Sequence, residues 1–156
     1  MFSLKDICDV AIQIEKNGER VYRDAQAKVN DIKLKELLGW IADEEKRHAQ
    51  WFQNLSKNID IEVEHLQIEE LGKRLIKDSI GDQTFSLADI ELTQATTLHQ
   101  VIDQSIEFEK DTIIFYEMMR EFIEDKEILE QLEIILQEER KHISNLNNVL
   151  DANFIK

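Results

Sequence analysis

The segments Glu45-Lys46-Arg47-His48 and Glu139-Arg140-Lys141-His142 share the pattern Glu-x-x-His. On a helix, residues three apart lie one turn apart on the same face, so each segment presents a carboxylate beside an imidazole. Glu15 stands 30 residues before Glu45, and Glu109 stands 30 residues before Glu139. Both upstream glutamates fall in stretches of helical periodicity. The faces that carry the motifs are otherwise apolar. Leu34, Leu38, Ile41, Phe52 and Leu55 flank the first, and Ile128, Leu132, Ile135, Leu146 and Val149 flank the second. A charged pair inside an apolar stripe needs a chemical reason, because burying a charge is costly unless it is paired.

Working outward, the two halves of the chain repeat at a constant offset of 94 residues without gaps. Ser3 falls on Thr97, Glu15-Lys16 on Glu109-Lys110, Tyr22 on Tyr116, Asp31 on Asp125, Glu44-Glu45 on Glu138-Glu139, and His48 on His142. The repeat unit is a helical hairpin, and two hairpins predict a four-helix bundle with pseudo-two-fold symmetry. Ser3 reads as the first N-cap, and Leu4, Ile7, Cys8, Ala11, Ile14, Glu15, Gly18, Tyr22, Ala25 and Val29 mark the inner face of helix one. Asn30-Asp31 is the break, and helix two runs from about Ile32 to about Lys57. Thr97 caps helix three, whose stripe is Leu98, Ile102, Ser105, Glu109, Thr112, Tyr116, Met119 and Ile123. Glu124-Asp125-Lys126 is the turn into helix four, and the tail is expected to fray from Asp151. The hairpins cover 3–57 and 97–150 of a single domain spanning 1–156. Between them, 58–96 reads as a long crossover, with a helix over Glu64–Lys77, a turn at Gly81-Asp82 and a short helix capped by Ser86.

Composition agrees with long helices: proline is absent and only 4 of 156 residues are glycine. The net charge of −14 argues against nucleic acid, which demands clustered Lys and Arg, and against anionic membrane surfaces. A single cysteine, Cys8, allows no disulfide within the chain and no Cys-x-x-Cys site, and reads as an inert core thiol. Met1 to Asp9 is charged, unlike a signal peptide, and no stretch approaches membrane-spanning length, so a reducing cytoplasm is expected.

Glu15, Glu45, His48, Glu109, Glu139 and His142 together offer oxygen and imidazole nitrogen but no thiolate. That donor set suits two iron or manganese ions, and zinc less exclusively. Four carboxylates balance the charge of two divalent cations, which lets the cluster sit in a core. Glu62-Val63-Glu64-His65 fits the short pattern too, but it lacks a repeat partner and reads as a solvated helix start. The alternative for His48 and His142 is a pair of core histidines satisfied by neighbouring glutamates, which leaves two glutamates facing inward without a reason. Tyr22 and Tyr116, two turns after Glu15 and Glu109, are either packing residues or donors to a ligand carboxylate. Gly18 and Thr112, one turn after the same glutamates, either pack or leave an opening beside the metals for dioxygen or peroxide. Trp40 and Trp51 fall off the metal stripe and read as packing or contact residues, and His99 receives no role.

These motifs resemble the rubrerythrin-type, ferritin-like di-iron proteins over residues 3–57 and 97–150. The stretches from Ala11 through Glu15 to Tyr22, and from Ile106 through Glu109 to Tyr116, resemble that family's first and third helices. The resemblance implies an all-α, ferritin-like four-helix bundle, up-down-down-up, with a long crossover between helices two and three. It implies that Glu45 and Glu139 bridge two irons, that Glu15 and Glu109 are terminal ligands, and that His48 and His142 cap one iron each. Full-length rubrerythrins append a rubredoxin domain that holds iron with cysteines, and this chain has none. Electrons would come from a separate donor such as a rubredoxin. Those proteins also carry an extra glutamate at the position of Thr112, and its lack resembles the six-ligand pattern of bacterioferritin-like ferroxidase centres.

The expected function is an oxidoreductase that reduces hydrogen peroxide or dioxygen at a di-iron centre, as a homodimer. The alternatives are a ferroxidase or iron-storage protein of bacterioferritin type, and a metal-stabilised bundle that acts as a binding module.

Overall fold

The computed structural model describes residues 4–58 and 98–154. They form four helices: α1 (Leu4–Lys28), α2 (Ile32–Asn58), α3 (Leu98–Arg120) and α4 (Lys126–Phe154). The crossover, the Ser3 and Thr97 caps and the Glu62–His65 copy lie outside the described residues.

The aspartates that mark the breaks also start the helices that follow. Asp31 Oδ1 accepts the Leu34 amide at 2.9 Å, and Asp125 Oδ1 accepts the Glu127 and Ile128 amides at 2.9 and 3.1 Å. Each satisfies backbone donors that a helix N-terminus leaves without an intrahelical partner. Helix three stops earlier than its apolar stripe suggested. After Arg120 the chain makes i→i−3 bonds, from the amides of Glu121, Phe122 and Ile123 to the carbonyls of Met118, Met119 and Arg120. Ile123 nevertheless remains buried, so the stripe recorded burial and not helix. Helix four continues to Phe154 and does not fray at Asp151.

Helices α1 and α2 pack as one antiparallel hairpin, and α3 and α4 as the other. Reciprocal contacts fix how the hairpins meet. Tyr22 reaches Glu109 while Tyr116 reaches Glu15, so α1 and α3 run antiparallel. His48 reaches Glu138 while His142 reaches Glu44, so α2 and α4 do as well. This is the expected up-down-down-up order.

The bundle is layered along its axis. One apolar cluster gathers Ile7, Cys8, Phe52, Phe115, Met119 and Leu132 at one end. A second gathers Val21, Leu34, Leu38, Ile41, Ile102 and Leu146 at the other. On every helix the residues between the clusters are charged: Glu15 on α1, Glu45 and His48 on α2, Glu109 on α3, Glu139 and His142 on α4. All six are buried. Among the described residues, no helix is long and apolar enough to cross a membrane.

Candidate metal centre

All six predicted side chains meet in the polar layer, and they do so as two overlapping groups. Glu15, Glu45, His48 and Glu139 each bring one ligand atom within 4.8 Å of the others, and so do Glu45, Glu109, Glu139 and His142. Glu45 and Glu139 belong to both groups. The imidazoles lie face to face, with ring centroids 6.1 Å apart and planes 25° apart.

The two imidazoles share one orientation. His48 Nδ1 lies 2.9 Å from Glu139 Oε1 and 3.6 Å from Glu15 Oε2. His142 Nδ1 lies 3.1 Å from Glu139 Oε2 and 3.4 Å from both Glu45 Oε1 and Glu109 Oε1. The Nε2 atoms point the other way. His48 Nε2 is 2.6 Å from Glu138 Oε2, and His142 Nε2 is 3.2 Å from Glu44 Oε2. A proton on Nε2 donated to these outer carboxylates leaves the Nδ1 lone pair free to bind a cation.

The tyrosines hold the other two corners. Tyr22 Oη donates to Glu109 Oε1 at 2.5 Å, and Tyr116 Oη donates to Glu15 Oε1. Each tyrosine thus fixes one carboxylate oxygen and leaves the second turned into the cluster. Burial, and then repulsion from the nearest glutamate, pushes both phenols well above their ordinary pKa, so they remain donors.

Leaving a buried ion unpaired costs several kcal/mol, more than the roughly 1.5–3 kcal/mol returned by burying a leucine. Protons carry the compensation in this arrangement. Burial and the Glu139 carboxylate push Glu45 well above the carboxylate range. The same two causes lift Glu109 to about 8. Burial alone would lower the imidazoles, but Glu15 and Glu139 raise His48 to about 12, and Glu109 raises His142 strongly. Burial and Glu15 press upward on Glu139, yet His48 and His142 keep it below its usual value. The outer Glu44 is held down to about 2, chiefly by its hydrogen bond to His142.

Protons do not satisfy the geometry. Glu15 Oε2, both Glu45 oxygens and Glu109 Oε2 are buried without a hydrogen-bond partner, and His48 Nδ1 and Glu139 Oε1 have only each other, 2.9 Å apart. Such orphans are rare in folded proteins. Among the described residues Gln104 Oε1 is the one such atom outside the six predicted residues, and the others lie together in the two overlapping groups. Oxygen and imidazole donors without thiolate are what divalent iron or manganese accepts, so the residues fit a pair of such ions.

Three features settle alternatives that the sequence left open. Gly18 leaves no opening: a Cβ there would lie 2.5 Å from Glu45 Oε2 and 3.1 Å from Phe108 Cε1, so the Glu45 carboxylate fills the space. Thr112 turns its hydroxyl back to the Phe108 carbonyl at 2.9 Å. Trp40, though 37% exposed, stands edge-on to His142, with centroids 5.4 Å apart and planes at 85°. It belongs to the rim of the centre, whereas Trp51 packs on Phe52 in the core. Sequence reasoning gave no role to Glu44 and Glu138. The signal was available, because the repeat superimposes Glu44-Glu45 on Glu138-Glu139. His99 pairs with Asp103 on the surface of α3, away from the centre.

Layer, bundle and order of helices define a ferritin-like protein. The solved structure of a ferritin-like diiron-carboxylate protein from Thermotoga maritima superimposes with a TM-score of 0.69 at 23% identity, over 94% of this chain and 93% of that one. Residues 6–150 match the family model described as Rubrerythrin, and the chain belongs to the rubrerythrin family. No curated protein matches it.

Proposed function

We propose that the chain is a non-haem di-iron oxidoreductase that reduces hydrogen peroxide or dioxygen with electrons from a separate donor protein, such as a rubredoxin. The observation that carries this reading is the sharing of Glu45 and Glu139 between two buried groups, each completed by one glutamate and one histidine. Glu15 and His48 would complete the ligands of one ion, and Glu109 and His142 those of the other. A ferrous pair held there would supply the two electrons of the reduction. Tyr22 and Tyr116 keep the terminal carboxylates aimed inward, Glu44 and Glu138 keep the imidazoles aimed inward, and the apolar clusters exclude water from either end. Reduction of hydrogen peroxide to two waters consumes two electrons and two protons, so each turnover requires two one-electron deliveries from the donor.

A ferroxidase role is the second reading, and Thr112 is the observation that favours it. The extra carboxylate that rubrerythrins carry at this position is replaced by a hydroxyl committed to its own helix. The proposed assembly also separates the two readings: a homodimer for the first, a cage for the second. The test is anaerobic loading with ferrous iron, metal counting, sedimentation, and then peroxide with an external reductant. Two ions per chain in a dimer, with two electrons consumed per peroxide over many turnovers, are expected. A cage that accumulates ferric iron well beyond two ions per chain would favour the second reading. Fewer than two ions per chain would contradict both.

A further inference from the structure

The 94-residue repeat makes the two halves of the centre nearly interchangeable, yet several residues around it break the match, Arg47 among them. Arg47 superimposes on Lys141. Arg47 Nη2 lies 2.8 Å from Glu44 Oε1 and 2.8 Å from Glu138 Oε2. Those two glutamates are the outer partners of His142 and His48. One guanidinium nitrogen therefore closes a continuous chain across the outside of the bundle, in the order His142, Glu44, Arg47, Glu138, His48. Lys141 is exposed on the opposite hairpin.

We propose that Arg47 is a positioning residue for both metal sites at once: it clamps the two carboxylates that orient the two imidazoles. The inference rests on the reading of the six residues as a two-ion centre. Glu44 and Glu138 come from different hairpins and carry like charge. Their side chains are 17% and 24% exposed, so each has a route out to water. A cation shared between them removes the reason to separate. The planar fork of arginine also fixes direction, which a lysine point charge does not. With the carboxylates fixed, both Nε2 protons are fixed, and both Nδ1 lone pairs face the cluster. Loss of an outer hydrogen-bond partner of a ligating histidine typically weakens metal binding about 10–100-fold. Here one side chain supports two histidines through their partners, so both ions should weaken together.

The test uses the full chain titrated anaerobically with Co²⁺, which is visible through its ligand-field absorption, and with Fe²⁺. Arg47→Met keeps the aliphatic stem and removes the guanidinium. It should weaken both ions about tenfold and alter the Co²⁺ spectrum, while the helix content and unfolding midpoint of the metal-free chain change little. Arg47→Lys should recover part of the lost affinity, and Lys141→Met should match wild type. Wild-type affinity for either ion in Arg47→Met would overturn the clamp. So would an equal loss in Lys141→Met, which would mark a general charge effect. Should wild type itself fail to bind two ions, the two-ion reading fails and not the clamp specifically.

Discussion

The hairpin formed by α1 and α2 and the hairpin formed by α3 and α4 are alike where they face the centre and different where they leave it. Glu15 matches Glu109, Tyr22 matches Tyr116, Glu44-Glu45 match Glu138-Glu139, His48 matches His142, and Asp31 matches Asp125 as a helix cap. Around that constant set, Gly18 faces Thr112, Trp40 faces Ile134 and Arg47 faces Lys141 across the repeat. The symmetric residues are those that a pair of equivalent cations would require. The asymmetric ones differ in what reaches the centre from outside: an aromatic ring lies against His142, where the repeat position near the other half carries an exposed isoleucine.

The largest expected effect comes from removing the shared residues. Glu45→Gln with Glu139→Gln should abolish tight binding of both ions, because both belong to each ligand group. Ferrous iron should raise the unfolding temperature of wild type by several degrees and leave that of the double variant unchanged. His48→Ala, by contrast, should weaken one ion far more than the other, and His142→Ala should mirror it. Metal counting and thermal unfolding with and without ferrous iron, all under anaerobic conditions, check these outcomes. Equal loss of both ions in the single histidine variants would break the two-site symmetry.

A middle-sized effect sharpens the contrast at Gly18 and Thr112. Gly18→Ala forces a methyl against the Glu45 carboxylate and Phe108, and should destabilise by about 1–3 kcal/mol, the range for overpacking. It should also lower metal affinity, because Glu45 must move. Thr112→Ala removes one hydrogen bond to its own helix and should cost about 1 kcal/mol with little change in metal binding. Denaturant unfolding of the two variants reads the difference directly. A Gly18→Ala chain with wild-type stability and affinity would mean that Glu45 and Phe108 give way without cost and that the close approach is not required.

The smallest effect is a pH slope in the metal-free chain. Glu109 titrates at about 8 when folded, against about 4.5 when unfolded. Between those values the folded chain holds a proton that the unfolded chain has lost, so stability falls as pH rises through that window. His48, at about 12 when folded, and the raised His142 act in the same direction above their ordinary value of 6.5. Glu44 acts oppositely: its contribution is complete above 4.5 and lost as pH falls toward 2. Unfolding midpoints of the metal-free chain should therefore decline from pH 5 to pH 9, and loading with iron should flatten the decline. A rise over that range would contradict the proton-compensated cluster.

The fold was legible because the repeat and the apolar stripes agree at every helix. The stripe misled only at the end of α3, where Ile123 stays buried after the helix has turned into i→i−3 bonds. The six inner residues were legible because their charge conflicts with the stripe that carries them. Glu44 and Glu138 were not, although the repeat pairs them. Each sits next to one of the six inner residues in sequence, a position that points partly outward on a helix, and only the crossing of α2 and α4 brings each to the histidine of the other hairpin. Trp40 was missed for the same reason, since its contact with His142 crosses between helices. Gly18 stayed open between packing and an opening because sequence shows that a side chain is small, and not what occupies the space beside it.

X-ray absorption of the chain loaded anaerobically with two equivalents of ferrous iron tests the central claim most directly. If Glu45 and Glu139 are shared by two ions, an iron–iron scattering shell should appear at about 3.5–4 Å, the spacing of two-metal sites. It should vanish in the Glu45→Gln, Glu139→Gln double variant. Two bound ions without such a shell would mean separate sites, and would contradict the account of one bridged centre.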